Sequence, residues 1–430
     1  MKIKTPQAAA PCSTSTAECA QIPPPKSPKS PMAMRPPPPL VDDLMREIFQ
    51  RLPPHDPRDL VRAAAVCRSW RGIISDADFA REYRELHGAP PMLGFLYEEL
   101  HYRRRPYWVS HFVSTATFRP PACQDRPYWH VLDSRHGLVL FYTPRMKADF
   151  VVCDLVTGNQ WEIHASPKCG DIMWWEWDEE DTKLERIRCN AAVFCAKDRC
   201  DHLDCHGGPF RIALVGSVID GNTARAAVYS SETREWSDMI EVQTLYFIVG
   251  PWSGHSALVG NKVYVPCVES DSIVEYNMDE QKLSVIDAPD TNHGEYIHLM
   301  GVENNMLLFA SVVTPRLYLS SMEIGPSGAV GWARQRTIEL EPLLPRDVLS
   351  DNYMSVVGFA EGINVIFLST ARHGLYTIDL NSGEHKKVHE RIYDYHLEKV
   401  MPYMSFYTGA WGRLPTSHQA SRAVVGATTI

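Results

Sequence analysis

At 430 residues the chain is too long for one ordinary hydrophobic core, so two or more units are expected. An apolar fraction of 44% with 22% charged residues fits a soluble globular protein, and no run approaches the ~20 consecutive apolar residues of a membrane helix. The net charge of −9 argues against a general nucleic-acid binder, so neither nucleic acid nor membrane is expected as a partner.

The chain begins MKIKTPQAAAPCSTS, without the apolar stretch of a secretory signal. A cytoplasmic or nuclear location is therefore expected, and the eleven cysteines read as reduced thiols rather than a disulfide framework. Residues 1–39 hold eleven of the 32 prolines and few large apolar groups, which predicts a disordered tail. Its two Lys-Ser-Pro triplets, Lys26-Ser27-Pro28 and Lys29-Ser30-Pro31, read as part of a basic solvated segment.

Residues 40–88 change to helical spacing. Leu44/Ile48, Met45/Phe49 and Ile48/Leu52 lie four apart, and Pro53-Pro54 stops this first helix. Asp56-Pro57 opens a second, with Leu60, Ala63, Ala64 and Cys67 as its apolar stripe, continued by Trp70, Ile73 and Ile74 after a bend. Ser75-Asp76-Ala77-Asp78 fits a capping box before Phe79, Tyr83 and Leu86, and Gly88 is placed to end the last helix. Three to four short helices are expected.

From about residue 92 short apolar runs alternate with Gly, Asn, Asp and Ser turns, which predicts strands with almost no helix except near Leu340–Leu349. One unit recurs: an apolar strand ending in a polar residue, a short turn, then an aromatic or aliphatic residue opening the next strand. It appears at 151–163, 226–239, 273–286, 317–338 and 375–388. Copies this far apart indicate a β-propeller, in which radial stacking covers the faces that a small sheet leaves bare. Six blades are expected, starting near 92, 132, 187, 244, 297 and 353, with Tyr403–Tyr407 closing the ring and Trp161, Trp236 and Trp332 packing between blades. The predicted fold class is α+β multidomain: an all-α bundle at 40–88, an all-β propeller at 92–410, and a flexible tail at 411–430.

The helical segment resembles an F-box. The resemblance rests on Leu40, Asp42-Asp43-Leu44, Glu47-Ile48, Arg51-Leu52-Pro53, Val66-Cys67-Arg68-Ser69-Trp70-Arg71, Ile74 and Phe79. The whole chain looks like the plant, especially grass-type, F-box proteins, in which a proline run precedes the F-box, His87-Gly88-Ala89-Pro90-Pro91 has its counterpart after it, and a propeller-like associated domain follows. Val41 stands where the F-box pattern has proline, and the stretch from Pro53 to Val66 is longer than in many F-boxes. The resemblance implies that an apolar surface binds a Skp-type adaptor, which bridges to a cullin and a RING subunit. Carried over by motif, that surface is Leu40, Leu44, Ile48, Leu52, Pro53, Val66 and Trp70.

Catalytic and cofactor motifs are sought without success: the phosphate-binding, dinucleotide, zinc-protease and nucleophile-elbow patterns do not occur, and no cofactor is expected. Pro251-Trp252-Ser253-Gly254-His255 brings serine near histidine but reads as a turn, and Trp174-Trp175-Glu176-Trp177 before an acidic run reads as a loop. Cys189, Cys195, Cys200, His202, Cys205 and His206 are zinc-type ligands, yet the spacing C-x4-C-x-H-x2-C-H is not that of a common finger. A loop with buried thiols, turning at Gly207-Gly208, is the preferred reading, and no metal is expected. The function expected is a non-catalytic receptor that holds a protein substrate on its β domain, near a ubiquitin-charged E2 of a Skp–cullin–F-box ligase, for proteasomal degradation. The alternatives are an F-box scaffold that assembles no ligase, and a propeller enzyme with convergent groups in its channel.

Overall fold

Four short helices precede the sheets. In α1 (Asp42–Gln50) the four-residue spacing turns Met45 and Phe49 inward, and α2 (Arg58–Val66) adds Leu60, Ala63 and Ala64 to the same core. The first turn of α2 is held by the Asp56 carboxylate, which accepts the Arg58 N–H at 3.1 Å. Cys67 caps α3 (Arg68–Ile74), its Sγ accepting the Trp70 N–H at 3.5 Å. Of the expected capping box, Asp76 does the work: its carboxylate accepts the Phe79 N–H at 3.0 Å at the start of α4 (Ala77–His87). Gly88, at φ +69°, ends that helix.

The computed structural model describes residues 42–101, 107–115, 120, 122–144, 146–172, 188–203, 205–218, 222–243, 249–250, 254–267, 272–288, 298–303, 306–324, 330–351, 353–390, 397 and 399–407. The expected tails at 1–39 and 411–430, Leu40 and the Trp174–Trp177 loop lie outside them.

The strands form six antiparallel sheets, the blades of a propeller. The first holds β1 (Met92–His101), β2 (Tyr107–Ser114) and β3 (Arg126–Pro127). The second runs β4 (His130–Arg135), β5 (Leu138–Tyr142), β6 (Phe150–Asp154) and β7 (Gln160–Ile163). The third runs β8 (Cys189–Cys195), β9 (Phe210–Ser217), β10 (Thr223–Ser230) and β11 (Glu235–Trp236), with β12 (Ile240–Gln243) also on β10. The fourth is β13 (Ala257–Val259), β14 (Lys262–Pro266), β15 (Ser272–Asn277) and β16 (Lys282–Asp287). The fifth is β17 (His298–Glu303), β18 (Met306–Val313), β19 (Arg316–Ile324) and β20 (Val330–Glu339). After α5 (Arg346–Leu349), in the one stretch where a helix was expected, the sixth follows with β21 (Met354–Ala360), β22 (Val365–Thr370), β23 (Gly374–Asp379) and β24 (His385–His389). The closing strand is β25 (Val400–Met404), earlier in the chain than the expected Tyr403–Tyr407. It pairs with β1 and gives the first blade its inner strand. The fourth inner strand likewise starts at Ala257 rather than near 244.

The repeat seen in the sequence is the outer hairpin of a blade. In four copies the inner of its two strands ends in a residue whose side chain folds back onto the turn: Asp154, Ser230, Asn277 and Asp379 each accept an N–H two residues on. The fourth residue after each lies at positive φ: Gly158 (+77°), Arg234 (+60°), Gln281 (+48°) and Gly383 (+74°). Trp161 lies edge-on to Phe210 of the next blade at 5.4 Å, while the Trp236 and Trp332 indoles donate to the His164 and Asp287 carbonyls of preceding blades. All three tryptophans therefore sit where blades meet.

The helices rest on the ring at its closure. Tyr83 meets Phe406 at 6.2 Å, and its hydroxyl donates to the Leu52 carbonyl at 2.7 Å. One continuous core joins Met45, Phe49, Leu60 and Phe79 to Leu96, Phe141 and Tyr403. A bundle this small buries too little of itself to stand alone, and the propeller supplies the missing surface.

The turn chemistry predicts an asymmetry. A Cβ at Gly158 meets nothing within 4 Å, so Gly158→Ala pays only for its left-handed backbone and is expected to lower unfolding free energy by about 1 kcal/mol. Gln281→Gly relieves that strain and is expected to be neutral or stabilising. Denaturant midpoints of the two variants check the ordering.

Candidate functional site

Helical geometry splits the apolar residues of α1 into two sets. Met45 and Phe49 enter the core, whereas Leu44 and Ile48, one turn apart, are 49% and 47% exposed. Val66, at the end of α2, is 63% exposed. The Ser69 hydroxyl donates to the Asp42 carboxylate at 3.0 Å, and Arg71 Nε donates to the Ala64 carbonyl at 3.2 Å, fixing α3 beside both helices. Trp70 is half-buried, edge-on to Phe49 at 5.3 Å. Leu52 is half-buried on the same core, and Pro53 is exposed. Of the seven residues carried over by motif, then, Leu44, Ile48, Val66 and Pro53 face outward, Leu52 and Trp70 support them from within, and Leu40 is outside the described residues. Leu44 and Ile48, bare and one turn apart, give α1 an exposed apolar strip.

A separate feature is a cavity of about 240 Å³ at the mouth of the channel, lined in part by Asp133, Arg135, His136, His202, His255 and Glu361. Its buried polar groups have structural tasks. The inner strands β4 and β21 carry an extra residue each, at Val131/Asp133 and Val356/Gly358, and such a bulge leaves a carbonyl outside the ladder. Lys399 Nζ donates to the Leu132 carbonyl at 3.4 Å, and His255 Nε2 donates to the Val357 carbonyl at 3.0 Å. Arg135 donates to the Ser256 carbonyl, and Asp133 accepts the Val193 N–H at 2.8 Å. The belt thus ties inner strands together, between adjacent blades through Lys399 and Asp133 and between non-adjacent ones through His255 and Arg135. Burial pushes Lys399 down to about 8, His255 to about 3 and His298 to about 4, and raises the Asp133 carboxyl.

Sequence reasoning missed one constellation. Asp154, His206 and Ser405 come together under the bundle: Asp154 Oδ2 lies 2.8 Å from His206 Nδ1, and His206 Nε2 lies 3.1 Å from Ser405 Oγ. These are the residue types and spacings of an acyl-transfer triad. However, Ser405 is 4% exposed, its hydroxyl also donates to the Phe406 carbonyl at 3.2 Å, and none of the three lines the described cavity. Burial pushes the Asp154 carboxyl up, but hydrogen bonds from His206 and Thr157 outweigh it and hold it below the usual range. The group pins the end of β25 to the second blade. The residues lie far apart in sequence; Asp154 carries a signal there as the polar end of a repeat strand, and His206 only as a zinc-type ligand.

Of the six zinc-type ligands, the fold gathers four: the ligand atoms of Cys195, Cys200, His202 and Cys205 all lie within 4.8 Å of one another. Cys189 is at the far end of β8, packed against Ile172 and Cys169 in the core between the second and third blades, and His206 is engaged with Asp154. Pro251, Trp252 and Ser253 lie outside the described residues, while His255 faces the channel.

The F-box-like family matches residues 42–83. These residues form an F-box-like domain. The match spans all four helices up to Tyr83, the residue that carries the F-box onto the propeller. No curated protein sequence matches the chain. Among solved structures, the chain is similar to a crystal structure of a protein from Lactobacillus plantarum, at 10% identity and TM-score 0.36, covering 70% of this chain and 82% of that one. It is also similar to the β-propeller domain of the Trilobed protease from Pyrococcus furiosus, at 12% identity and TM-score 0.30, covering 69% and 92%. A third likeness is to a structure from a study of two prolyl endopeptidases, at 9% identity and TM-score 0.32, covering 82% of this chain and 53% of that one, so the chain spans about half its length. At these values the likenesses carry no argument about activity.

Two outcomes follow from the buried groups. His298 Nε2 has no hydrogen-bond partner among the described residues, and the ring is held neutral to about 4. A histidine depressed from its ordinary 6.5 contributes stability that is fully present above pH 6.5 and lost as pH falls through the folded value. His298→Phe is expected to leave stability at pH 7 unchanged or raised, and to remove about 2 kcal/mol of the loss between pH 7 and 4.5, read from denaturant unfolding at both values. Ser405→Ala is expected to cost about 1 kcal/mol, and a fluorophosphonate probe is expected to leave Ser405 unlabelled by mass spectrometry.

Proposed function

We propose that this chain is a non-catalytic substrate receptor of a Skp–cullin–F-box ubiquitin ligase. The observation that carries the reading is the outward face of the F-box-like domain, where Leu44, Ile48 and Val66 stand exposed while Met45, Phe49, Leu60, Ile74 and Phe79 fill the core of the bundle. A Skp-type adaptor covers this face, and a cullin and RING subunit follow through it. The contribution to ubiquitin transfer is proximity: a protein held on the propeller places its lysines near the charged E2, and the protein ends in proteasomal degradation. The rigid junction around Tyr83 and Phe406 suits that task, because a receptor hinged loosely on its adaptor would dilute the effective concentration. The grass-type F-box kinship and a cytoplasmic or nuclear location belong to the same reading.

The structure alters the choice of test. Trp70 packs on Phe49, so its removal would disturb the bundle itself, whereas Ile48 and Val66 are free to change. In a pull-down with purified Skp-type adaptor, the wild type is expected to bind. Ile48→Asp combined with Val66→Asp is expected to lose at least about 2.7 kcal/mol, a hundredfold, with its circular dichroism unchanged. Adaptor binding by the double variant at wild-type strength would sink the proposed face. Adaptor capture without cullin co-purification would instead point to a scaffold that assembles no ligase.

A further inference from the structure

The inner hairpin of the third blade is unlike the others. The second and fourth blades turn within 136–137 and 260–261, but Cys195 and its partner Phe210 are separated by residues 196–209. Among its described residues this loop has no strand or helix of its own; its backbone-to-backbone bonds are Ala196 N–H to the Pro209 carbonyl at 2.9 Å and Gly208 N–H to the Cys205 carbonyl at 3.2 Å, and the Leu203 N–H is taken by the Asp201 carboxylate at 3.0 Å. Leu203 is its packed aliphatic residue, set against the core shared by the F-box and the first two blades. Such a loop needs another source of order.

The geometry points to a structural zinc site formed by Cys195, Cys200, His202 and Cys205. Their ligand atoms lie within 4.8 Å of one another. Cys200 Sγ and Cys205 Sγ are 3.8 Å apart, and Cys205 Sγ is 3.7 Å from His202 Nδ1. A tetrahedral zinc ion with bonds of about 2.3 Å to sulfur and about 2.0 Å to nitrogen spaces its ligands about 3.8 Å sulfur to sulfur and about 3.5 Å sulfur to nitrogen. The Cys200 and Cys205 sulfurs are too far apart for a disulfide, and the three cysteines of the cluster are all free thiols. Three thiolates and an imidazole leave no open position, the mark of a structural rather than a catalytic zinc site. Binding releases the three thiol protons.

The surroundings are those of a built site. The Lys197 N–H points at Cys195 Sγ at 3.4 Å, a bond that favours the thiolate. His136, on the turn of the second blade, accepts the Cys195 N–H at 3.1 Å and stacks flat on His202 at 3.9 Å, holding two ligands at once. Arg199 and His202 both take left-handed backbone conformations, at φ +52° and +58°, which non-glycine residues adopt when something compensates. Immediately after the last ligand, His206 reaches Asp154, Ser405 and the Phe406 carbonyl, the residues beneath the F-box. Zinc would therefore order a loop that braces the F-box against the ring closure, whether or not that F-box assembles a ligase.

The test uses the full chain, produced with zinc in the medium and desalted. Elemental analysis is expected to find about one zinc per chain in the wild type, in Cys189→Ser and in His206→Gln, and about a tenth of that in Cys200→Ser and Cys205→Ser. Because a ligand variant can misfold for other reasons, chelator-stripped wild type titrated with cobalt(II) supplies the second reading: thiolate charge-transfer and tetrahedral d–d bands saturating at one equivalent are expected. Removal of zinc is also expected to open the exposed Lys197 and Arg199 to trypsin. Folded wild type with neither zinc nor a cobalt spectrum would overturn the proposal. So would full metal retention by Cys205→Ser, or a Cys200–Cys205 disulfide in protein isolated with its free thiols alkylated.

Discussion

The pairing of β25 with β1 is the constraint on which the rest depends. A ring of blades has two free edges until the chain ends meet, and here the last strand becomes the inner strand of the first blade. Closure satisfies the ladder of β1, and it also places Ser405, Phe406 and Tyr407 directly beyond the sheet. Those residues form the seat of the helices, so the F-box is docked on the part of the propeller that exists only once the ring is closed. Folding of the two parts is coupled for that reason, and the docked bundle has less freedom than a tethered domain.

The second theme is the accounting of buried polar groups. Bulges in the inner strands orphan carbonyls near the channel, and Lys399 and His255 reach across to satisfy them. The Asp154–His206–Ser405 group does the same between the second blade and the closing strand. In each case an ionisable residue is held in an environment that resists its ordinary charge state or fixes it, and the cost is offset by the hydrogen bonds it makes between blades. A triad of familiar residue types is therefore no sign of catalysis without a cavity and an accessible hydroxyl.

Some of this was legible from residues alone. The four-residue apolar spacing and the proline stop defined α1, and the recurrence of a polar strand end, a turn and an aromatic defined the outer hairpins, so the helical bundle and a six-bladed ring could be read before any coordinates. Local rules sufficed because helix periodicity and side-chain-to-backbone turns such as those at Asp154 and Asp379 are decided within a few residues. The spacing could not say which of Leu44, Met45, Ile48 and Phe49 would stay exposed, since all four lie on one broad apolar stripe. That division came from where α3 and α4 pack.

What the sequence by itself determined was the inventory: an F-box-like segment, repeated hairpins, and a run of thiols and imidazoles of the kind that binds zinc. What only the tertiary structure decided was which members of each set meet. Cys189 and Cys195 share a strand, but six residues of extended chain, about 20 Å, hold them apart, whereas the loop folds Cys200, His202 and Cys205 back onto Cys195. His206 stands next to a zinc-type ligand in the chain and is claimed instead by Asp154 and Ser405, the latter brought within reach by ring closure. Composition and periodicity fix local conformation because their energies are local. Partnership between residues hundreds of positions apart is fixed by the closed topology that brings them together.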